Sequence, residues 1–407
     1  MVDIPVRIFF NDIKQIQGPL WFSYTEAFLT SLVVGLAESY FAAYSIHHGL
    51  SVLQSGLLIS LPLIIAALMQ FFLQSKMATA NLSYFVQRAL VIQASALVGL
   101  AVFTFFKPDS IFYWLLACYS FYWFGHFSIQ PAWNRWISDI IPLESGQQYF
   151  SLRTRLSQIA ILCGLFAGGY LLHLNVLNVD IEKIFFGLFV FSFFLKITTV
   201  YLFQRHPPQT QPLFLNMKNI KNLFFQNISF FKRYATFHTC VYLSASYVAG
   251  YLISTRQLTY LEFMVVMSGL FLGKILMTYY LNQTKVQINP LKLLIWGGMI
   301  SAPLPILWPL SPDATTMFFV HVLSGIGWAG WEVGLSLYFF KNIHGDKKIE
   351  LISLYNYVGV LTQVLGTVLG AILFKTVLDQ NFAYLFYLAG VLRFISLMGM
   401  RNTKLVA

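Results

Sequence analysis

Apolar runs of about the length needed to cross a bilayer recur along the whole chain, each closed by a short polar stretch. A spanning helix takes about 20 predominantly apolar residues. A window of that length finds twelve segments, at 27–48, 52–73, 84–106, 111–134, 154–174, 184–203, 235–255, 260–281, 291–310, 315–340, 353–374 and 382–400. The longest polar break, Gln204 to Arg233, separates six segments from six. The pattern predicts an all-α membrane protein with twelve transmembrane helices in two six-helix bundles. Its expected divisions are an N-terminus at 1–26, bundles at 27–203 and 235–400, a linker at 204–234 and a tail at 401–407.

The two sets of six are related. Leu36–Ile46 reads LAESYFAAYSI and Leu243–Ile253 reads LSASYVAGYLI, and Ser55-Gly56-Leu57 recurs as Ser268-Gly269-Leu270. At an offset of 202, Gly125 falls on Gly327, Ser151-Leu152 on Ser353-Leu354, Gly164 on Gly366 and Gly168 on Gly370. The shared order points to duplication of a six-helix half.

Composition agrees and narrows the class. The chain is 57% hydrophobic and only 10% charged, against roughly 25% charged in soluble domains. Its net charge of +11 follows topology. Of the 26 Lys and Arg residues, only Lys107, Lys183, Arg256 and Lys375 lie in odd-to-even loops, and Lys196, Lys274 and Arg393 lie within segments. The rest flank the N-terminus, the even-to-odd loops and the C-terminus. The positive-inside rule then places both termini and the linker in the cytoplasm, in an inner membrane. Nucleic acid is not needed to explain the charge. Cys118, Cys163 and Cys240 all sit in apolar segments, without disulfide or metal spacing.

Two parallel six-helix halves with a basic central loop resemble the major facilitator superfamily over essentially the whole chain. Helix 4 and its loop, PAWNRWISDIIPLESGQQYFSLR, resemble a bacterial pattern of that family. Gly164-Leu-Phe-Ala-Gly168-Gly169 resembles part of its antiporter glycine motif, without the usual proline. After helix 2 the family's Gly-x-x-x-Asp-Arg-x-Gly-Arg-Arg loop is replaced by QSKMATANLS, which keeps only Lys76 as a cation. With that latch missing, Arg135, Asp139, Arg153 and Arg155, with Glu144, become the candidates for a cytoplasmic gate. Ordinary loop charge is the competing reading.

The resemblance implies that helices 1, 4, 7 and 10 line a central cavity with substrate near the midplane. Each carries polar residues three or four apart, on one helical face: Ser31, Gly35, Glu38 and Ala42; Tyr119, Tyr122, His126 and Gln130; His238, Tyr242 and Ser246; and His321, Gly325, Trp328, Glu332 and Ser336. Glu38 is the leading candidate, because a charge at mid-helix costs roughly 2.5–3.5 kcal/mol on insertion scales. A carboxyl there can couple transport to protons, or can be a neutral group bonding helices together. His126 and Glu332 complete the expected substrate and proton-coupling set. Tyr122, Gln130, His238, Tyr242, Trp328 and Lys274 complete the expected cavity lining. Lys196 and Arg393 fall on the outermost helices of such a fold and are expected to snorkel to the cytoplasmic surface. The adjacent His47 and His48 make a weak metal pair.

No phosphate-loop, HExxH or GxSxG signature is present, so neither an enzyme nor a built-in ATP drive is expected. The reading is a proton-coupled secondary transporter of a small organic solute, monomeric in the lipid bilayer, without cofactor, metal or nucleic-acid partner. Its rivals are an uncoupled facilitator and a receptor-like or lipid-handling protein on the same fold.

Overall fold

The computed structural model describes residues 20–77, 82–106, 108–140, 146–174, 179–204, 217–283, 289–342 and 347–402. Within them the backbone makes twelve helical passes and no strands. This is the expected solution in a bilayer, where backbone N–H and C=O groups must be satisfied within each span. Pass 1 is Leu20–Leu36, a 3-10 turn at Glu38–Tyr40, and Phe41–His47. Passes 2 to 6 are Val52–Met77, Leu82–Phe105, Ile111–Ile140, Gly146–His173 and Ile181–Gln204. A short helix, Met217–Gln226, precedes pass 7, which runs as Ile228–Ala245, Val248–Gly250 and Tyr251–Thr255. Passes 8 to 12 are Tyr260–Gln283; Pro290–Ser301 with Leu304–Leu310; Ala314–Asn342; Lys347–Thr376; and Phe382–Met398. Seven of these helical stretches are long and apolar enough to span by composition alone.

The halves are built alike. Pass 1 packs on pass 5 as pass 7 packs on pass 11; passes 3 and 4 pair as do 9 and 10; pass 2 lies on 4 as 8 lies on 10. The halves meet where pass 5 crosses pass 8 and pass 2 crosses pass 11.

Glycine permits the tightest crossings. A Cβ on Gly164 would stand 2.5 Å from the Leu32 carbonyl oxygen and 3.0 Å from the Gly35 Cα, and one on Gly366 would stand 2.5 Å from the Thr239 carbonyl oxygen. Tyr40 donates its hydroxyl to the Leu165 carbonyl at 2.6 Å, and Tyr247 donates to the Thr367 carbonyl in the matching place. Gly125 and Gly327 likewise face passes 3 and 9. These matches in the sequence are therefore matches in space. The Ser-Gly-Leu match is not: Gly56 abuts Ser246 and Tyr247 of the other half, whereas Gly269 abuts Phe318 and His321 of its own.

The LAESYFAAYSI and LSASYVAGYLI segments carry the interruptions of passes 1 and 7. Tyr40 and Tyr247 stand at corresponding positions in them.

Several boundaries differ from expectation: passes 5, 7 and 11 begin at Gly146, Ile228 and Lys347, not at residues 154, 235 and 353. Pass 1 begins at Leu20, not at residue 27, because Glu26 is buried and takes a hydrogen bond from Arg153 at 2.9 Å. An internal ion pair lets the helix carry a charge that a hydropathy window rejects. Pass 10 is preceded by Asp313, whose carboxylate accepts the Thr316 N–H at 2.7 Å and is held below its ordinary pKa range by that bond.

The face carrying the residue 204–217 connection is the linker face, and the opposite one the far face. Among the described residues, contacts between halves crowd towards the far face. Ser60 of pass 2, Ser246 of pass 7 and Thr367 of pass 11 form a triangle of hydroxyls with sides of 3.0, 2.7 and 2.7 Å. Tyr40 meets Phe263 with ring centroids 5.9 Å apart, and Gly169 lies against Met264.

Backbone atoms cannot yield at the glycine crossings, so Gly164→Ala and Gly366→Ala are each expected to destabilise the fold by about 1–3 kcal/mol. Gly187→Ala, with nothing within 4 Å of its added methyl, is expected to be neutral or to gain up to about 1 kcal/mol from helix propensity. Thermal unfolding of the three purified variants checks the contrast.

Candidate functional site

Glu38 sits at the interruption of pass 1. Tyr122 of pass 4, fully buried, donates its hydroxyl to Glu38 Oε2 at 2.9 Å. Phe41 packs across both neighbours, stacked on Tyr119 at 4.4 Å and edge-on to Tyr122 at 5.3 Å. His126, one turn beyond Tyr122, lies edge-on to Trp123 with centroids 5.4 Å apart. Glu38 and Tyr122 are thus brought together, and His126 stands one turn further along pass 4 against Trp123.

Lys196 joins them and corrects the sequence reading. It is 1% exposed and does not snorkel; its ammonium lies 6.0 Å from the centre of the Tyr122 ring and within electrostatic reach of Glu38 and His126. Geometry explains the error. Pass 6 runs towards the linker face, and helical Cα–Cβ bonds tilt back towards the N-terminus. The side chain is therefore aimed at mid-membrane, away from the surface it was expected to reach.

Arg393 repeats the case on pass 12. It is 3% exposed, donating to the Val241 carbonyl at 2.6 Å, to Ser244 Oγ at 3.1 Å and to the Cys240 carbonyl at 3.5 Å.

In the C-terminal half, Lys274 of pass 8 donates to Glu332 Oε1 of pass 10 at 2.7 Å. Glu332 is 54% exposed, and Tyr242 of pass 7 and Tyr355 of pass 11 are also within its electrostatic reach. A carboxylate facing three passes lines the space between them. His238 lies in an aromatic box, 4.2 Å from the Tyr234 ring centre, 5.9 Å from Tyr242, 6.4 Å from Trp328 and 6.2 Å from Trp331. Its Nδ1 is 3.4 Å from the Tyr234 hydroxyl.

Other members of the expected stripes serve packing. Gly35 lies under pass 5 and Gly325 against Gly273 of pass 8. His321 is buried, stacked 5.8 Å from Trp308 with Nδ1 3.0 Å from the Met317 carbonyl oxygen. A helix with neighbours on several sides has polar and small residues on more than its cavity face.

Of the expected gate, Arg153 bonds Glu26 and lies 3.9 Å over the Trp133 ring. Its partners on passes 1 and 4 belong to its own half. Arg155 is half-buried. The side chains of Gln130, Arg135, Asp139 and Ser336 lie outside those described, as do residues 141–145 with Glu144.

The profile described as Major Facilitator Superfamily matches residues 27–367. The chain belongs to the major facilitator superfamily. It is a membrane transporter, not an enzyme. Comparison with curated proteins finds no match. Solved structures of similar fold include a bacterial homologue of the iron transporter ferroportin in an inward-facing state, with TM-score 0.69 and 14% identity over 94% of this chain and 98% of that one. The nucleoside transporter NupG gives 0.67 and 13% over 95% and 100%. The fucose:proton symporter FucP of E. coli gives 0.61 and 13% over 94% and 98%. At such identities the likeness is one of fold.

The two ion pairs should differ in worth. Glu26→Gln removes the buried member of a pair whose Arg153 is 22% exposed, a loss of about 1.5–3 kcal/mol, whereas Glu332→Gln, at a half-exposed carboxylate, costs about 1 kcal/mol or less. Comparing their melting temperatures in one detergent tests the ranking, and equal shifts would contradict it.

Proposed function

We propose that this transporter is a proton-coupled secondary carrier of a small organic solute in the inner membrane, working by alternating access. The observation that carries the reading is Glu38: a carboxyl at the interruption of pass 1, held by Tyr122 from pass 4. A charge so placed is costly, and a break in the helix beside it gives a proton something to move. Loading or releasing a proton there changes both the charge and the hydrogen bonding at a joint between two passes.

The solute site is assigned to the space between the halves. His126 and Tyr122 serve it from the N-terminal half. Glu332, Lys274, His238, Tyr242 and Trp328 serve it from the C-terminal half. Aromatic walls with one exposed ion pair suit a small molecule with an apolar or aromatic body and a polar group.

The distribution of Lys and Arg supports placing both termini and the linker in the cytoplasm. Contacts between halves crowded towards the far face then correspond to an inward-facing arrangement, the state named for the ferroportin homologue. Arg153 serves as a brace on the cytoplasmic side of the N-terminal half. Arg135, Asp139 and Arg155 remain the gate candidates there. The carrier works as a monomer.

Proteoliposomes with an imposed pH gradient, screened with a panel of small organic solutes, test the reading. The wild type is expected to accumulate at least one solute against its gradient. Glu38→Gln is expected to keep solute exchange and lose accumulation. Undiminished accumulation by Glu38→Gln would refute proton coupling through this residue.

A further inference from the structure

Each half sends one buried cation from its last pass to the interrupted first pass. Arg393 of pass 12 grips the last turn before the break of pass 7, through the carbonyls of Cys240 and Val241 and the hydroxyl of Ser244. These hydrogen-bond partners are backbone and a hydroxyl; the titratable groups within electrostatic reach are His238, Tyr242 and Cys240, none of them a carboxylate. A planar, always-charged guanidinium suits such a fixed clamp.

Lys196 of pass 6 stands in the corresponding role beside pass 1, among different chemistry. The ionisable groups around it are Glu38 and Glu26 of pass 1 and His126 and Tyr122 of pass 4. A fully buried ammonium requires an anion or several acceptors nearby. Glu26 is engaged by Arg153 at 2.9 Å. Tyr122 lies between the other two, its ring beside the ammonium and its hydroxyl on the Glu38 carboxylate. We infer that Lys196 is the counter-charge of Glu38 and that the two form one coupling unit at the break of pass 1. The brace thus meets backbone acceptors in the C-terminal half and a carboxyl in the N-terminal half. Protonating Glu38 leaves Lys196 without its anion, so the unit favours a rearranged pass 1 once a proton is loaded. Lys196 acts through Glu38 and is a positioning residue, not a solute contact.

The coupling role rests on the reading of Glu38 above; the charge pairing does not. A solute-free experiment separates them. Dicyclohexylcarbodiimide, a lipid-soluble carbodiimide, adds to the neutral acid: the carboxyl oxygen bonds the central carbon while the acid proton passes to a nitrogen. Mass spectrometry of the purified protein then reads the adduct at Glu38.

At a pH alkaline enough that Glu38 is mostly ionised in both proteins, Lys196→Met is expected to raise the labelling rate at Glu38 about tenfold, and Lys196→Arg to keep it near the wild-type rate. Equal labelling in Lys196→Met and wild type would overturn the pairing. Should Lys196→Met not fold, the neutral double variant Lys196→Met/Glu38→Gln decides. A melting temperature near the wild type's supports the pair, and a second failure to fold overturns it. Unchanged labelling would leave proton coupling through Glu38 standing. Accumulation by Glu38→Gln would remove the coupling and leave the pair.

Discussion

A helix interrupted inside a bilayer must have its loose backbone groups and its charges satisfied by the protein itself, because lipid offers no partners. Much of this structure follows from that constraint at two places, the breaks of passes 1 and 7. Tyr40 and Tyr247 reach from the breaks to the carbonyls of Leu165 and Thr367. The reach is short because Gly164 and Gly366 let passes 5 and 11 lie directly on the broken helices. Buried cations on passes 6 and 12 complete the support from the other side. What resembles a weak sequence repeat is a repeated joint.

The joints are alike in construction and unlike in chemistry. Where pass 1 has Glu38, the matching place in pass 7 has Ala245, and where pass 4 has His126, pass 10 has Trp328. Duplication supplied two hinges of one design, and ionisable groups were placed on the first. The C-terminal half carries its exposed ion pair, Lys274 with Glu332, away from its joint.

Much of this was legible in the sequence. Twelve apolar segments, the central polar break and the offset of 202 gave the fold, because a membrane imposes a length and hydropathy on every pass. Tyr122 and His126 were readable as one face of pass 4, since spacings of three and four fix a helical face; that Tyr122 meets Glu38 of pass 1 was not. Lys196 and Arg393 were misplaced because hydropathy treats any long cation as free to reach the surface. The direction of Cα–Cβ bonds in a pass running towards the linker face pointed the other way. The role of Arg153 was obscured for a related reason: its partner, Glu26, lies 127 residues away on a helix that a hydropathy window starts too late. His321 and Gly325 lay on an apparent cavity stripe, but pairing between passes, which decides what a face meets, is not written in one helix.

The central claim is that protons move with the solute through the joint of pass 1. Its most direct measurement is the pH inside proteoliposomes, followed with a trapped dye while a transported solute crosses. The account predicts a lumenal pH change that follows solute flux in fixed proportion and stops when the solute is withheld. Solute flux with the lumenal pH unchanged would contradict it.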